Sequence, residues 1–122
     1  MTQLFAEKIN ARPKKGAITF TGSISGDIPA KYFAVYGATK AFIVSFSRNI
    51  RNEYPDLKVL LLSPGEVSTG LIFNKPAGKT VATVEECVEG TLKDVGVYEK
   101  TDGATRHKIS NTIMRYMPYC VF

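Results

Sequence analysis

Cysteine and histidine are scarce in these 122 residues: Cys87, Cys120 and His107 are all there are. Two cysteines so far apart build neither a disulfide framework nor a zinc site, which makes a reduced compartment the default and Cys87 a core residue. A lone histidine without Asp, Glu or Cys partners at ligand spacing reads as structural, so no metal site is expected. No run of about eighteen apolar residues offers a membrane span. The opening Met1-Thr2-Gln3-Leu4-Phe5-Ala6-Glu7-Lys8 is charged and amphipathic, unlike a secretory signal. The chain also lacks an internal repeat, a low-complexity linker and an aromatic-basic ladder, which argues against nucleic acid as a partner.

What is present suits a folded piece. Hydrophobic residues make up 44%, too many for a disordered tail. A chain of this length suffices for one domain and can bury roughly two-thirds of its unfolded surface. The net charge of +5 would fit phosphate-rich ligands, although scattered lysines on a folded domain commonly serve solvation alone.

Strand and helix signals alternate. Thr2 to Ala11 reads as the last part of a helix, with Leu4, Phe5 and Ile9 on one side and Arg12-Pro13 ending it. Residues 16 to 22 read as a buried strand, followed by a turn from Gly22 to Pro29. A helix from Tyr36 to about Tyr54 would bury Ala38, Phe42, Phe46 and Ile50 and turn Arg48, Arg51 and Asn52 outward. Leu57 to Leu62 is a nearly unbroken apolar strand suited to a parallel sheet covered on both faces, so strand, helix and strand make one right-handed crossover. An irregular flap extends to about Lys79. Thr83 with Glu86 three residues later forms a capping box opening a helix to about Val95, with Val84, Cys87, Val88, Leu92 and Val95 inward. Thr101-Asp102-Gly103 is a turn, a short strand is expected around Ala104 to Ile109, and an amphipathic helix or loop through Ile113, Met114, Met117, Tyr119 and Phe122 closes the chain.

One constellation carries chemistry. In Tyr36-Gly37-Ala38-Thr39-Lys40 the phenol and the ammonium stand four residues apart, on one helix face. A phenol is a poor acid at neutral pH, with a reference pKa of about 10, but a neighbouring cation favours its ionised form and suits it to general acid-base work. Ser23 lies thirteen positions earlier, at the carboxyl end of the strand Ala17 to Thr21, where ligands of open α/β sheets bind. Its hydroxyl could hydrogen-bond a substrate carbonyl. Together these residues point to carbonyl-alcohol redox chemistry.

The stretch Gly16-Ala17-Ile18-Thr19-Phe20-Thr21-Gly22-Ser23-Ile24-Ser25-Gly26, the Tyr-Gly-Ala-Thr-Lys run, and Leu57 to Leu62 followed by Ser63-Pro64-Gly65-Glu66-Val67-Ser68-Thr69 resemble the short-chain dehydrogenase/reductase family. The stretch from Thr83 to His107 is similar to the branch of very-long-chain 3-oxoacyl-CoA reductases and hydroxysteroid dehydrogenases. The resemblance implies a doubly wound, Rossmann-like α/β fold, of which residues 1–122 would be a single partial domain: the catalytic half, with about three strands and their flanking helices. It implies NADP(H) in preference to NAD(H), and a 3-oxoacyl-CoA or steroid-like carbonyl reduced to an alcohol. Tyr36 would be the acid or base, Lys40 would assist it and hydrogen-bond the nicotinamide ribose, and Ser23 would orient the substrate oxygen. Pro64, Gly65, Val67 and Thr69 match the segment that contacts the nicotinamide carboxamide. A homodimer through the Tyr36–Tyr54 helix and an intracellular location, the endoplasmic reticulum or otherwise the cytoplasm, are further expectations.

The family's Thr-Gly-x-x-x-Gly-x-Gly turn, which cradles the pyrophosphate at a helix N-terminus, does not occur in this sequence. Neither does Asn-Asn-Ala-Gly, and the family's catalytic Asn would fall roughly four residues before Met1. The dinucleotide-binding half is thus expected to be absent from these residues, and an inactive remnant that binds a partner without turnover is the alternative. Each assignment has a bland competitor. Ser23 could simply close a turn, with Ser25 as the fallback donor; Tyr32 could be a pocket wall or a core aromatic; Thr69 could cap a helix. Arg106, Lys108 and Arg115, among the methionines and aromatics of the tail, could lie on a membrane surface or line an acyl channel, or that tail could pack on the domain.

Overall fold

The apolar run after Asp56 becomes the centre of a three-stranded parallel sheet. The computed structural model describes residues 1–12 and 16–117. Its strands β1 (Ala17–Thr21), β2 (Lys58–Leu62) and β3 (Lys100–Thr101) lie in the order β1-β2-β3. Ile18 stands opposite Val59, Phe20 opposite Leu61, and Leu62 opposite Thr101. Val59, Leu60 and Leu61 are all buried, as a central parallel strand requires. The strand expected to be buried, β1, is covered on one face only. Ala17, Thr19 and Thr21 are exposed while Ile18 and Phe20 are half-buried, because the core residues packed on this strand lie on the face of Ile18 and Phe20.

Helices α1 (Thr2–Asn10) and α2 (Ala34–Glu53) cover the face that carries Ile18 and Phe20. Ala6, Ile50, Leu57 and Val59 are the buried centre there, with Ile9, Ile18, Phe20, Phe46 and Tyr54 packed around them. Burying each large aliphatic side chain contributes about 1.5–3 kcal/mol, and Phe20 meets Phe46 edge to face at 5.7 Å between ring centres. On α1, Leu4 and Phe5 are exposed rather than inward; Ala6 and Ile9 make the contact.

The burial stripe of α2 differs from the sequence reading. Val44, Ser47 and Ile50 are buried, whereas Ala38 is exposed and Phe42 is 66% exposed. Only the second half of the helix overlies the sheet; its first turns pack on a 3-10 turn, Ile24–Gly26. Arg51, expected outward, donates from Nη1 to Glu99 Oε2 and from Nη2 to the Glu99 carbonyl oxygen, both at 2.8 Å.

Helix α3 (Val84–Asp94) starts on the expected capping box. Thr83 Oγ1 accepts from the Glu86 amide at 3.1 Å, and Glu86 Oε2 accepts from the Thr83 amide at 3.0 Å. Its inward residues are Cys87, Thr91 and Asp94. Val84, Val88 and Leu92 are exposed, contrary to expectation. The rotation is set by backbone: a Cβ on Gly90 would stand 2.7 Å from the carbonyl carbon of Gly103, and one on Gly103 would stand 2.9 Å from Cys87 Sγ.

The strand expected at Ala104 to Ile109 is instead the start of helix α4 (Thr105–Tyr116), and the third strand is the shorter β3 just before it. Gly103, at φ +71°, turns the chain between them. The flap after Pro64 is closed at its neck by a parallel bridge between Val67 and Ala82 and holds a 3-10 turn, Gly70–Ile72. Tyr119, Cys120 and Phe122 lie outside the described residues. Among the described residues, no helix is long and apolar enough to cross a membrane.

Candidate active site

Three chain segments meet where the strands end. Gly22 follows β1 and donates its amide to the Leu62 carbonyl at 2.7 Å; the Ile24 amide reaches the Pro64 carbonyl at 3.2 Å. The Ser63 amide is 2.7 Å from the Thr101 carbonyl. The turn carrying Ser23 is thereby locked to the Ser63-Pro64-Gly65 segment and, through it, to the end of β3.

Ser23 is buried and caps the Ile24–Gly26 turn, its Oγ accepting from the Ser25 amide at 3.2 Å. The turn-closing role therefore belongs to Ser23, but a hydroxyl that accepts one bond keeps its proton to donate. Tyr36 lies in the first turn of α2, about one-third exposed (36%), with its ring edge-to-face on Phe33 at 5.8 Å. Lys40 sits one helical turn on. Its Nζ donates to the Thr21 carbonyl at 3.2 Å and stands 5.6 Å from the centre of the Tyr36 ring. The ammonium thus joins the helix to the last residue of β1, two positions before Ser23. Close backbone approach holds Ser23's turn against this end of α2: a Cβ on Gly37 would lie 3.0 Å from the Ser25 carbonyl oxygen. Tyr32 is 91% exposed, which removes the core-aromatic reading; it holds φ at 68° with Lys31 Nζ 5.1 Å above its ring.

The segment after β2 borders the same region. Gly65 is pressed on α4, where a Cβ would stand 3.0 Å from the His107 ring and 3.5 Å from Asn111 Oδ1. Val67 forms the bridge to Ala82, and the Ser68 amide donates to the Ala82 carbonyl at 2.9 Å. Thr69 precedes the Gly70–Ile72 turn, but its hydroxyl makes no cap bond, so the capping alternative does not occupy it.

His107 is structural: buried at 1% exposure, with Nε2 3.0 Å from the Glu66 carbonyl oxygen. Among the described residues no group of His, Cys, Asp and Glu could hold a metal ion. Arg106, Lys108 and Arg115 pair with acidic side chains while staying partly exposed. They meet Glu86, Asp94 and Asp102, with Arg115 also reaching Asp27. The sequence reading gave no site role to Asp27, Asp102 or Asn111. The spacing of His107, Asn111 and Arg115, four residues apart, was the available signal, obscured by the strand expected over the first of them.

A family model for the short chain dehydrogenase matches residues 1–80. The rat 17-beta-hydroxysteroid dehydrogenase type 3 (Rattus norvegicus) is 31% identical over the whole of this chain and 40% of its own length. The human very-long-chain 3-oxoacyl-CoA reductase (Homo sapiens) is 31% identical over the whole of this chain and 39% of its own length. The zebrafish very-long-chain 3-oxoacyl-CoA reductase-A (Danio rerio) is 32% identical over 89% of this chain and 34% of its own length. This chain thus spans well under half the length of these relatives, and no solved structure matches it. With a three-stranded parallel sheet between helices and a family match over its first 80 residues, the chain belongs to the short-chain dehydrogenases, an oxidoreductase family.

Proposed function

We propose that this chain is the catalytic part of an NAD(P)(H)-dependent reductase that converts the keto group of a 3-oxoacyl-CoA or steroid-like substrate to an alcohol. The observation that carries the reading is Lys40, held between the Thr21 carbonyl and the Tyr36 ring beside the turn of Ser23. Tyr36 donates its phenolic proton to the carbonyl oxygen in reduction and takes it back in oxidation. The Lys40 ammonium eases that transfer by opposing negative charge on the phenol, and the Ser23 hydroxyl donates a hydrogen bond that orients the substrate oxygen.

The donors present fit a nicotinamide nucleoside. An ammonium has three hydrogens, of which the Thr21 carbonyl takes one, leaving Lys40 able to meet ribose hydroxyls. Thr69 keeps its hydroxyl and, with Pro64, Gly65 and Val67, would hold the carboxamide. The nicotinamide, when bound, supplies the hydride chemistry. NADP(H) is the proposed form, and comparable kcat/KM with NADH would remove that preference.

In the full-length protein that carries this segment, Tyr36→Phe should lower the reduction rate by about 10²–10⁴ while circular dichroism stays unchanged. Retained turnover would take Tyr36 out of proton transfer. The likeness to 17-beta-hydroxysteroid dehydrogenase type 3 and to the 3-oxoacyl-CoA reductases supports the substrate classes, and side-by-side assays of a steroid ketone and a 3-oxoacyl-CoA decide between them. The proposed location is the endoplasmic reticulum, on the resemblance to that branch; immunolocalisation elsewhere would overturn it. A homodimer through α2 is supported by an open recess of about 710 Å³ lined by Ala34, Val35, Ala38, Thr39, Phe42 and Ile43. A light-scattering mass equal to one chain would remove it.

A further inference from the structure

Helix α4 carries three polar side chains four residues apart, and between them they hold the segments that follow all three strands. His107 Nε2 lies 3.0 Å from the Glu66 carbonyl oxygen. Asn111, fully buried, donates from Nδ2 to the Ser63 carbonyl at 3.1 Å and to Asp102 Oδ1 at 2.9 Å. Arg115 grips Asp102 with two nitrogens, Nη1 to Oδ2 at 3.0 Å and Nη2 to Oδ1 at 2.7 Å, and extends Nη2 to Asp27 Oδ2 at 3.1 Å. Lys100 Nζ meets the same Asp27 oxygen at 2.5 Å.

Asp27 closes the turn that begins at Ser23. The Gly26 amide donates to the Ser23 carbonyl at 3.0 Å and the Asp27 amide to the Ile24 carbonyl at 2.9 Å. The near end of the turn is fixed by backbone bonds to Leu62 and Pro64, as described above. Its far end is fixed by side chains from β3 and α4, residues 73 and 88 positions away. The cluster is balanced, two carboxylates against two cations, and its carboxylates are largely covered, at 13% and 10% exposure. Removing one partner of such a cluster leaves the other's charge uncompensated, so the contact is costly to break.

We propose that Arg115 and Asp27 are positioning residues: the ridge of α4 holds Ser23 at one place relative to Tyr36 by clamping the far end of its turn. The inference rests on the function proposed above for those two residues. It assigns α4 a part in the reaction without contact with the reacting atoms.

The test uses the full-length protein with Asp27→Asn, Arg115→Gln, the double variant and Tyr36→Phe. Asp27→Asn removes the negative charge that ties the Ser23 turn to Arg115 and Lys100 while leaving Arg115 on Asp102, so it answers even if Arg115→Gln fails to fold. Backbone amides of residues 23–28 should exchange with deuterium at least about tenfold faster than in the parent in each single variant, and in the double variant no faster than in the singles, with β2 unchanged. Unaltered exchange there overturns the inference whatever the activity. Asp27→Asn should also lower kcat about tenfold or more with little change in KM, as misplacement of a reacting group does. If Tyr36→Phe is inactive and Asp27→Asn turns over like the parent, the positioning role is wrong. If Tyr36→Phe equals the parent, the proposed function fails instead, and the exchange data still decide whether the clamp exists.

Discussion

A Cβ on Gly26 would stand 2.7 Å from the carbonyl carbon of Lys40 and 2.9 Å from its oxygen. The neighbour is helix backbone, which has no rotamer to move into. The Ser23 turn is therefore seated on α2 at a distance that only glycine permits. Gly26→Ala should cost about 1–3 kcal/mol, the range of overpacked sites, and should reduce turnover of the full-length protein by lifting Ser23 away from Tyr36. Gly70→Ala is the control, because nothing lies within 4 Å of a Cβ there, and its effect should stay within about 0.5 kcal/mol. Equal melting temperatures for the two variants would show that the turn can retreat freely.

The local features of this fold were legible in the sequence and the distant ones were not. The β2 run, the Thr83 and Glu86 box and the Tyr36-to-Lys40 spacing each encode their geometry within a few residues. The rotation of α3 does not, since it is set by Gly90 meeting the backbone of Gly103 and leaves the apolar stripe of Val84, Val88 and Leu92 outward. β3 is two residues long, too short to show a period. Arg115, near the end of α4, turns its charge onto Asp27 and Asp102, which lie 88 and 13 positions away in the chain. For the same reason the Ser23, Tyr36 and Lys40 trio could be named early, while the clamp behind Ser23 could not.

Acid sensitivity should trace partly to Asp94. Burial alone would push its carboxyl up, but hydrogen bonds from Lys108 Nζ, at 2.7 Å, and from Thr101 Oγ1 outweigh it and hold the carboxyl below the ordinary carboxylate range. A carboxyl whose folded value lies below its unfolded value, about 3.9, contributes stability fully above that value and loses it as pH falls through the folded one. The melting temperature should therefore drop below about pH 4. Asp94→Asn should lower it at pH 7 and flatten the acid limb. An acid limb as steep as the parent's in that variant would assign the effect to other carboxyls, of which Glu86, lowered first by the Thr83 amide, has the same sign.

The 122 residues alone should bind NADPH weakly, with a Kd on the order of millimolar or weaker. The sequence offers Lys40 and the Pro64 to Thr69 segment for the nicotinamide end but no glycine-rich turn for the pyrophosphate. Titration calorimetry of the segment against the full-length protein measures the difference. Micromolar binding by the segment would mean that its own residues, the clustered basic side chains of α4 among them, supply a phosphate site of a different kind.

Glu86 faces two ways, and that makes the start of α3 the anchor of the flap. Its Oε2 accepts the Thr83 amide while Oε1 meets Arg106 Nη2, and Arg106 Nη1 bonds the carbonyls of Gly78 and Val81. The same side chains thus cap a helix and fasten the neck of residues 67–82. Thr83→Ala removes one capping bond and should cost about 0.5–2 kcal/mol, with little effect on the flap because Glu86 and Arg106 remain paired. Arg106→Ala leaves the cap intact and frees the two carbonyls at the neck. It should lower the melting temperature less than Thr83→Ala, since the ion pair it removes is partly exposed. It should nevertheless speed limited proteolysis between Leu71 and Lys79, where the chain is almost wholly exposed. If Thr83→Ala opened the flap to protease as fast as Arg106→Ala, helix capping and flap anchoring would be one event, and Arg106 would have no separate part in it.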